Sequence, residues 1–121
     1  MKWIRQIHLY LGAFFAPLFI FFALSGALQT FRLQEAPKGS TYNPPEWIVR
    51  FAEVHKNQRP VKDRSLAPSV SLKWLLVLMS LGLIVSSILG IYMAHKYNRD
   101  RRIVWGLIIS GTILPFALLY L

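Results

Sequence analysis

The sequence predicts an all-α integral membrane protein, with three transmembrane helices and a short amphipathic interfacial helix in the first loop. Three charge-free runs carry that prediction. Residues 6–31, between Arg5 and Arg32, hold 26 positions without Asp, Glu, Lys or Arg; 74–95, between Lys73 and Lys96, hold 22; and 103–121, after Arg102, hold 19. At ~1.5 Å of rise per residue the first run reaches roughly 39 Å, enough to cross a ~30 Å hydrocarbon core with a tilt. The runs account for 67 of 121 residues, which leaves too little chain for a second core, so residues 1–121 read as a single membrane domain.

The first run is preceded by Lys2 and Arg5 and contains Ser25-Gly26-Ala27, features shared with a secretory leader. Its apolar stretch exceeds the ~7 to 15 residues of a signal core, so it is read as a retained span. The connection that follows is punctuated by Pro37 and Gly39, then by Asn43-Pro44-Pro45-Glu46, where Asn43 is placed to cap a helix and the prolines suit its first turn. A helix is expected over about 44–57, with Trp47, Phe51, Val54 and Gln58 on one side and Glu46, Arg50, Glu53 and Lys56 around the rest. This pattern fits a helix in the membrane interface and equally one packed on the span ends. A polar strap, 59–68, leads to the second span.

Small residues mark the expected helix contacts. His8, Gly12, Ala16, Phe19, Ala23 and Gly26 fall within an arc of about 80° on the first helix, and Gly82, Ser86 and Gly90 repeat every fourth position on the second. Pro17 and Pro115 are expected to bend their helices. At the interfaces, Arg5, Trp47, Phe51, Lys73, Trp74, Lys96, Arg99, Arg101, Arg102 and Trp105 are the candidate lipid-contacting side chains.

Net charge is +9, but the cations sit in loops beside spans, so anionic headgroups rather than nucleic acid are the expected partner. Lys2, Arg5, Lys96, Arg99, Arg101 and Arg102 lie on one side with Asp100. The opposite loop holds slightly more cations, diluted by Glu35, Glu46, Glu53 and Asp63. The dense cluster at 96–102 favours the amino terminus inside and the carboxyl terminus outside a bacterial cytoplasmic membrane. The absence of cysteine excludes disulfides, thiolate metal sites and a cysteine nucleophile. No Ser-His-Asp order, phosphate loop or metal-ligand spacing occurs, and an enzyme acting alone is not expected.

The string Ile7-His8-Leu9-Tyr10-Leu11-Gly12, then Ala16-Pro17 and Leu24-Ser25-Gly26-Ala27-Leu28, resembles the first helix of the PepSY-associated transmembrane family. Val54-His55-Lys56 before a span ending Leu89-Gly90-Ile91-Tyr92 is similar to that family's next segment. The resemblance implies larger relatives with an extracytoplasmic PepSY domain, some of which bind b-type haem through paired histidines and reduce ferric siderophores. The 121 residues depart from those relatives in having three spans, three histidines and no flavin or nicotinamide motif. His8 is therefore weighed as an interfacial hydrogen-bonding group against a ligand of haem b or a chlorin, with a carotenoid at a subunit boundary as a further cofactor candidate. His95 shares its side of the membrane but points about 220° away from Gly82, so if the Gly82, Ser86, Gly90 face meets the first helix the two imidazoles diverge. His55 lies across the membrane from both and is expected at the helix surface.

The leading functional expectation is a small accessory or structural subunit that packs with other integral membrane subunits of a redox or photosynthetic complex. A haem-binding electron-transfer protein is the alternative, and a lipid-surface or metal-uptake helper the third.

Overall fold

A computed structural model of the chain describes residues 2–59, 65 and 67–121. The elements are α1 (Lys2–Thr30), α2 (Glu46–Asn57), α3 (Val70–Tyr97) and α4 (Arg101–Leu119), with no strand among the described residues. α1, α3 and α4 are long and apolar enough to cross a membrane. Each of these helices extends past at least one edge of its charge-free run, because backbone hydrogen bonding continues where apolarity stops. Ser69 caps α3 by accepting from Leu72 N at 3.2 Å. Pro17 and Pro115 both lie inside continuous helices. The strap expected over 59–68 falls largely outside the described residues.

α1 ends in a Schellman turn. Leu33 N donates to Leu28 O at 3.2 Å and Arg32 N to Gln29 O at 2.9 Å, with Arg32 in the left-handed region at φ 53°. Pro37 to Ser40 then form a tight turn in which Gly39 takes φ 83°, and Tyr42 Oη donates back to Leu33 O at 2.8 Å. This folded connection sets α2 down beside the end of α1, where Lys56 pairs with Glu35 at 3.8 Å.

One detail of α2 corrects the sequence reading. Its N-cap is Pro45 with no side-chain bond, so Asn43 does not cap it; Ile48 N and Val49 N both donate to Pro45 O instead. Of the two placements left open for α2, the helix packs on the end of α1 through the stripe beside its aromatic side. Ile48 and Ala52 are buried and His55 is half-buried, one stripe at i, i+4 and i+7, whereas Trp47 and Phe51 are exposed flanks.

α1 and α3 run antiparallel and form the main contact. The α3 residues turned inward are Leu72, Leu76, Met79, Gly82, Ser86 and Gly90, and they face Ile4, His8, Phe15 and their neighbours on α1. Phe15, 7% exposed, lies so close over Gly82 that a Cβ there would come within 2.7 Å of its ring. Of the other proposed small-contact positions, Gly26 and Gly90 each lie under an imidazole, Gly12 has nothing within contact of a Cβ, Ala16 is half-buried and Ala23 is exposed. α4 leans on α3 through Val104, its one buried residue, and is otherwise open almost all round.

Candidate functional site

The structure places two of the three histidines in helix contacts, each held by a serine of the facing helix. His8, near the start of α1, puts Nδ1 3.0 Å from the Ser86 carbonyl oxygen and 3.0 Å from Ser86 Oγ on α3. A carbonyl can only accept, and an unprotonated Nδ1 at that distance would set lone pair against lone pair. Nδ1 is therefore assigned the proton, and Nε2 the lone pair. The ring lies over Gly90, where a Cβ would make ordinary contact with His8 Cε1 at 3.5 Å.

His55 on α2 repeats the arrangement at the other end of α1. Its Nδ1 is 2.7 Å from Ser25 Oγ, and Ser25, 1% exposed, donates to Phe21 O at 2.8 Å in the manner of helical serines. With the hydroxyl proton on Phe21 O, Ser25 accepts from His55 Nδ1–H and Nε2 keeps the lone pair; with it turned to Nδ1, the tautomer is the reverse. The ring lies over Gly26, whose Cβ would sit 3.6 Å from Cε1, and against Phe22 at 4.8 Å between centroids. Serine contacts at positions 8 and 25 of one helix stand roughly 25 Å apart along its axis.

His95 engages neither. Its ring meets Trp105 of α4 edge-on at 5.8 Å, and its Nδ1 is enclosed without a hydrogen-bond partner. His8 and His95, the candidate ligands expected on one side of the membrane, thus face different neighbours, one on α3 and one on α4. Among the described residues no cluster of three His, Cys, Asp or Glu is placed to hold a metal ion.

The expectation of a surface His55 is corrected: the ring is part of the α1–α2 contact. Ser25, its partner, was visible in the sequence only as a small residue. The available signal was the i, i+4, i+7 spacing of Ile48, Ala52 and His55, which makes the imidazole continuous with the inward stripe.

Burial, and next the Lys56 ammonium, hold the His55 pKa below its ordinary value of about 6.5. The docked state therefore prefers the neutral ring. Its contribution to docking is complete above pH 6.5 and is lost as pH falls below that value through the lowered pKa. Hydrogen exchange of segment 46–57 is expected to be slower at pH 7.5 than at pH 5 after correction for intrinsic rates, and His55→Leu to flatten the difference. Equal protection at both pH values in the unaltered chain would refute this account.

The remaining candidate interface residues lie where the helix ends put them: Arg5 in the first turns of α1, Lys73 and Trp74 in the first turns of α3, Lys96 in its last turn, and Arg99, Arg101, Arg102 and Trp105 at the α3–α4 corner, all exposed. Comparison of the chain with family models, with curated proteins and with solved structures finds no match.

Proposed function

We propose that this chain is an integral membrane subunit that works packed against other membrane proteins, inserted with its amino terminus inside a bacterial cytoplasmic membrane. The observation that carries the reading is how little apolar surface the helices bury in one another. Among the described residues the buried apolar side chains are Ile4, Phe15, Ile48, Ala52, Met79 and Val104, and α4 from Ile109 onward exposes every residue. In lipid such faces are tolerated, but helices as weakly joined as α3 and α4 gain a fixed arrangement by meeting further helices. Purification in mild detergent, or in native nanodiscs, is expected to bring down a larger membrane subunit in fixed ratio. A chain that is monodisperse and alone in native nanodiscs would overturn the proposal.

A second reading is favoured by the tautomers. An imidazole whose Nδ1–H is held by the protein and whose Nε2 carries the lone pair is set up as a ligand for haem b, the group implied by the resemblance to the PepSY-associated family. His8 fits that donor role, and His55 fits it in the tautomer whose Nδ1–H is given to Ser25. No second imidazole stands beside either among the described residues, so a bis-histidine site would take its other ligand from a neighbouring chain. When bound, haem supplies one-electron transfer; this chain's part is to hold the ring orientation and the Nδ1 proton. Oxidised and dithionite-reduced visible spectra test the reading. Reduced b-type bands that disappear in His8→Ala or His55→Ala support it, and a colourless complex removes it while leaving the subunit proposal in place.

A further inference from the structure

The docking of α2 on α1 leaves an apolar groove of about 410 Å³, lined by Leu24, Ala27, Leu28 and Phe31 of α1 and by Trp47 and Phe51 of α2. It exists because Ile48, Ala52 and His55 face α1 and Phe51 meets Phe21, which leaves the α1 surface from Leu24 to Phe31 open beneath Trp47 and Phe51. Phe51 is braced edge-on by Phe21 at 5.1 Å and by Trp47 at 5.8 Å, which fixes the roof. Ala27 provides the low point of the floor between larger neighbours at i−3, i+1 and i+4.

We propose that this groove holds one acyl chain of a phospholipid with an anionic headgroup. Three observations choose the occupant. The lining side chains carry no hydrogen-bonding group apart from the indole of Trp47, which leaves a hydroxyl or quinone head without partners and suits an alkyl chain. The groove follows α1 lengthwise through its last two turns, from the point where the charge-free run ends toward the middle of the span, which is the path of a lipid tail hanging from the interface. At its head, directly after Phe31, stands Arg32, exposed, with no carboxylate among the described residues paired to its guanidinium, whereas Arg50 on the roof helix is already paired with Glu46. A cation at the interface end of an apolar groove complements a phosphate-bearing head that has no compensating positive charge.

The inference rests on membrane insertion as proposed above, and the two fail separately. Release of the chain from membranes by alkaline carbonate would remove the insertion itself. With insertion established, native mass spectrometry of protein released from nanodiscs made of equal phosphatidylglycerol and phosphatidylcholine is expected to show one retained phospholipid. Phosphatidylglycerol should be favoured about five-fold, the effect of one cation near an anionic head. Ala27→Trp, which fills the floor, should abolish retention, and Ala117→Trp, the same added volume on the exposed surface of α4, should leave it intact. Leu28→Ser, which adds no volume, should weaken retention and guards against misfolding of the tryptophan variant. Arg32→Gln should keep the lipid and lose the preference. Retention unchanged in both Ala27→Trp and Leu28→Ser, or no headgroup preference in the unaltered chain, would overturn the proposal.

Discussion

Gly82→Ala is expected to destabilise the α1–α3 contact by about 1–3 kcal/mol, the usual cost of adding a methyl group to a filled contact. A Cβ at Gly82 would stand 2.7 Å from Phe15 Cε2 and 3.0 Å from Cδ2, and Phe15 is itself buried, so the ring moves only by forcing the helices apart. The better helix propensity of alanine returns at most about 1 kcal/mol. Thermal loss of helicity in detergent should show a lowered midpoint, larger still for Gly82→Leu. Truncating the knob restores space, so Phe15→Leu in the Gly82→Ala background should recover part of the loss. The resulting coupling energy should exceed about 0.5 kcal/mol, beyond what independent sites show. A Gly82→Ala chain as stable as the original would mean that the ring does not fill the space over Gly82.

Ser25→Ala is expected to cost about 1–3 kcal/mol in the docking of α2, the penalty for a buried polar group left without its partner. The loss is specific: Ser25 Oγ is the partner of His55 Nδ1, and without it that edge of the ring is left against Phe22. Hydrogen exchange over 46–57 should quicken while exchange in the α1–α3 contact stays unchanged. The double variant Ser25→Ala with His55→Leu should be better docked than Ser25→Ala alone, because it removes both partners of the bond. If the double variant proved no better than the single, the serine would matter for packing and not for the hydrogen bond.

Helix positions were legible because a run without charge is a property of the chain alone. α2 was legible from Pro44-Pro45-Glu46 and its alternating faces, to within two residues at its start. What was not legible was azimuth. The spacing put Trp47 and Phe51 on one side of α2, a side that fits the membrane interface and the span ends equally. In the structure Ile48 and Ala52 take the place against α1, where small side chains let the backbone of α2 approach. Phe15 escaped notice for the reciprocal reason. A search for stripes of small residues on one helix discards a phenylalanine, yet the hole at Gly82 has a purpose only when a large side chain from the other helix enters it. Complementarity of this kind belongs to two segments some seventy positions apart, and Ser25 and Ser86 share that character: each is an ordinary small residue until an imidazole from another helix reaches it.

The Phe15 ring seated at Gly82 also works as a mechanical detent. Two antiparallel apolar helices have little to stop them sliding along each other, since each translation exchanges one greasy surface for another. Sliding by one turn would carry the ring from Gly82 onto Leu78 or Ser86, neither of which leaves it that space, so depth is indexed at a single position. That index sets the level at which His8 meets Ser86, seven residues back along α1 and four forward along α3. Any force that draws α1 outward or inward must first unseat an aromatic ring, and the imidazole travels with it.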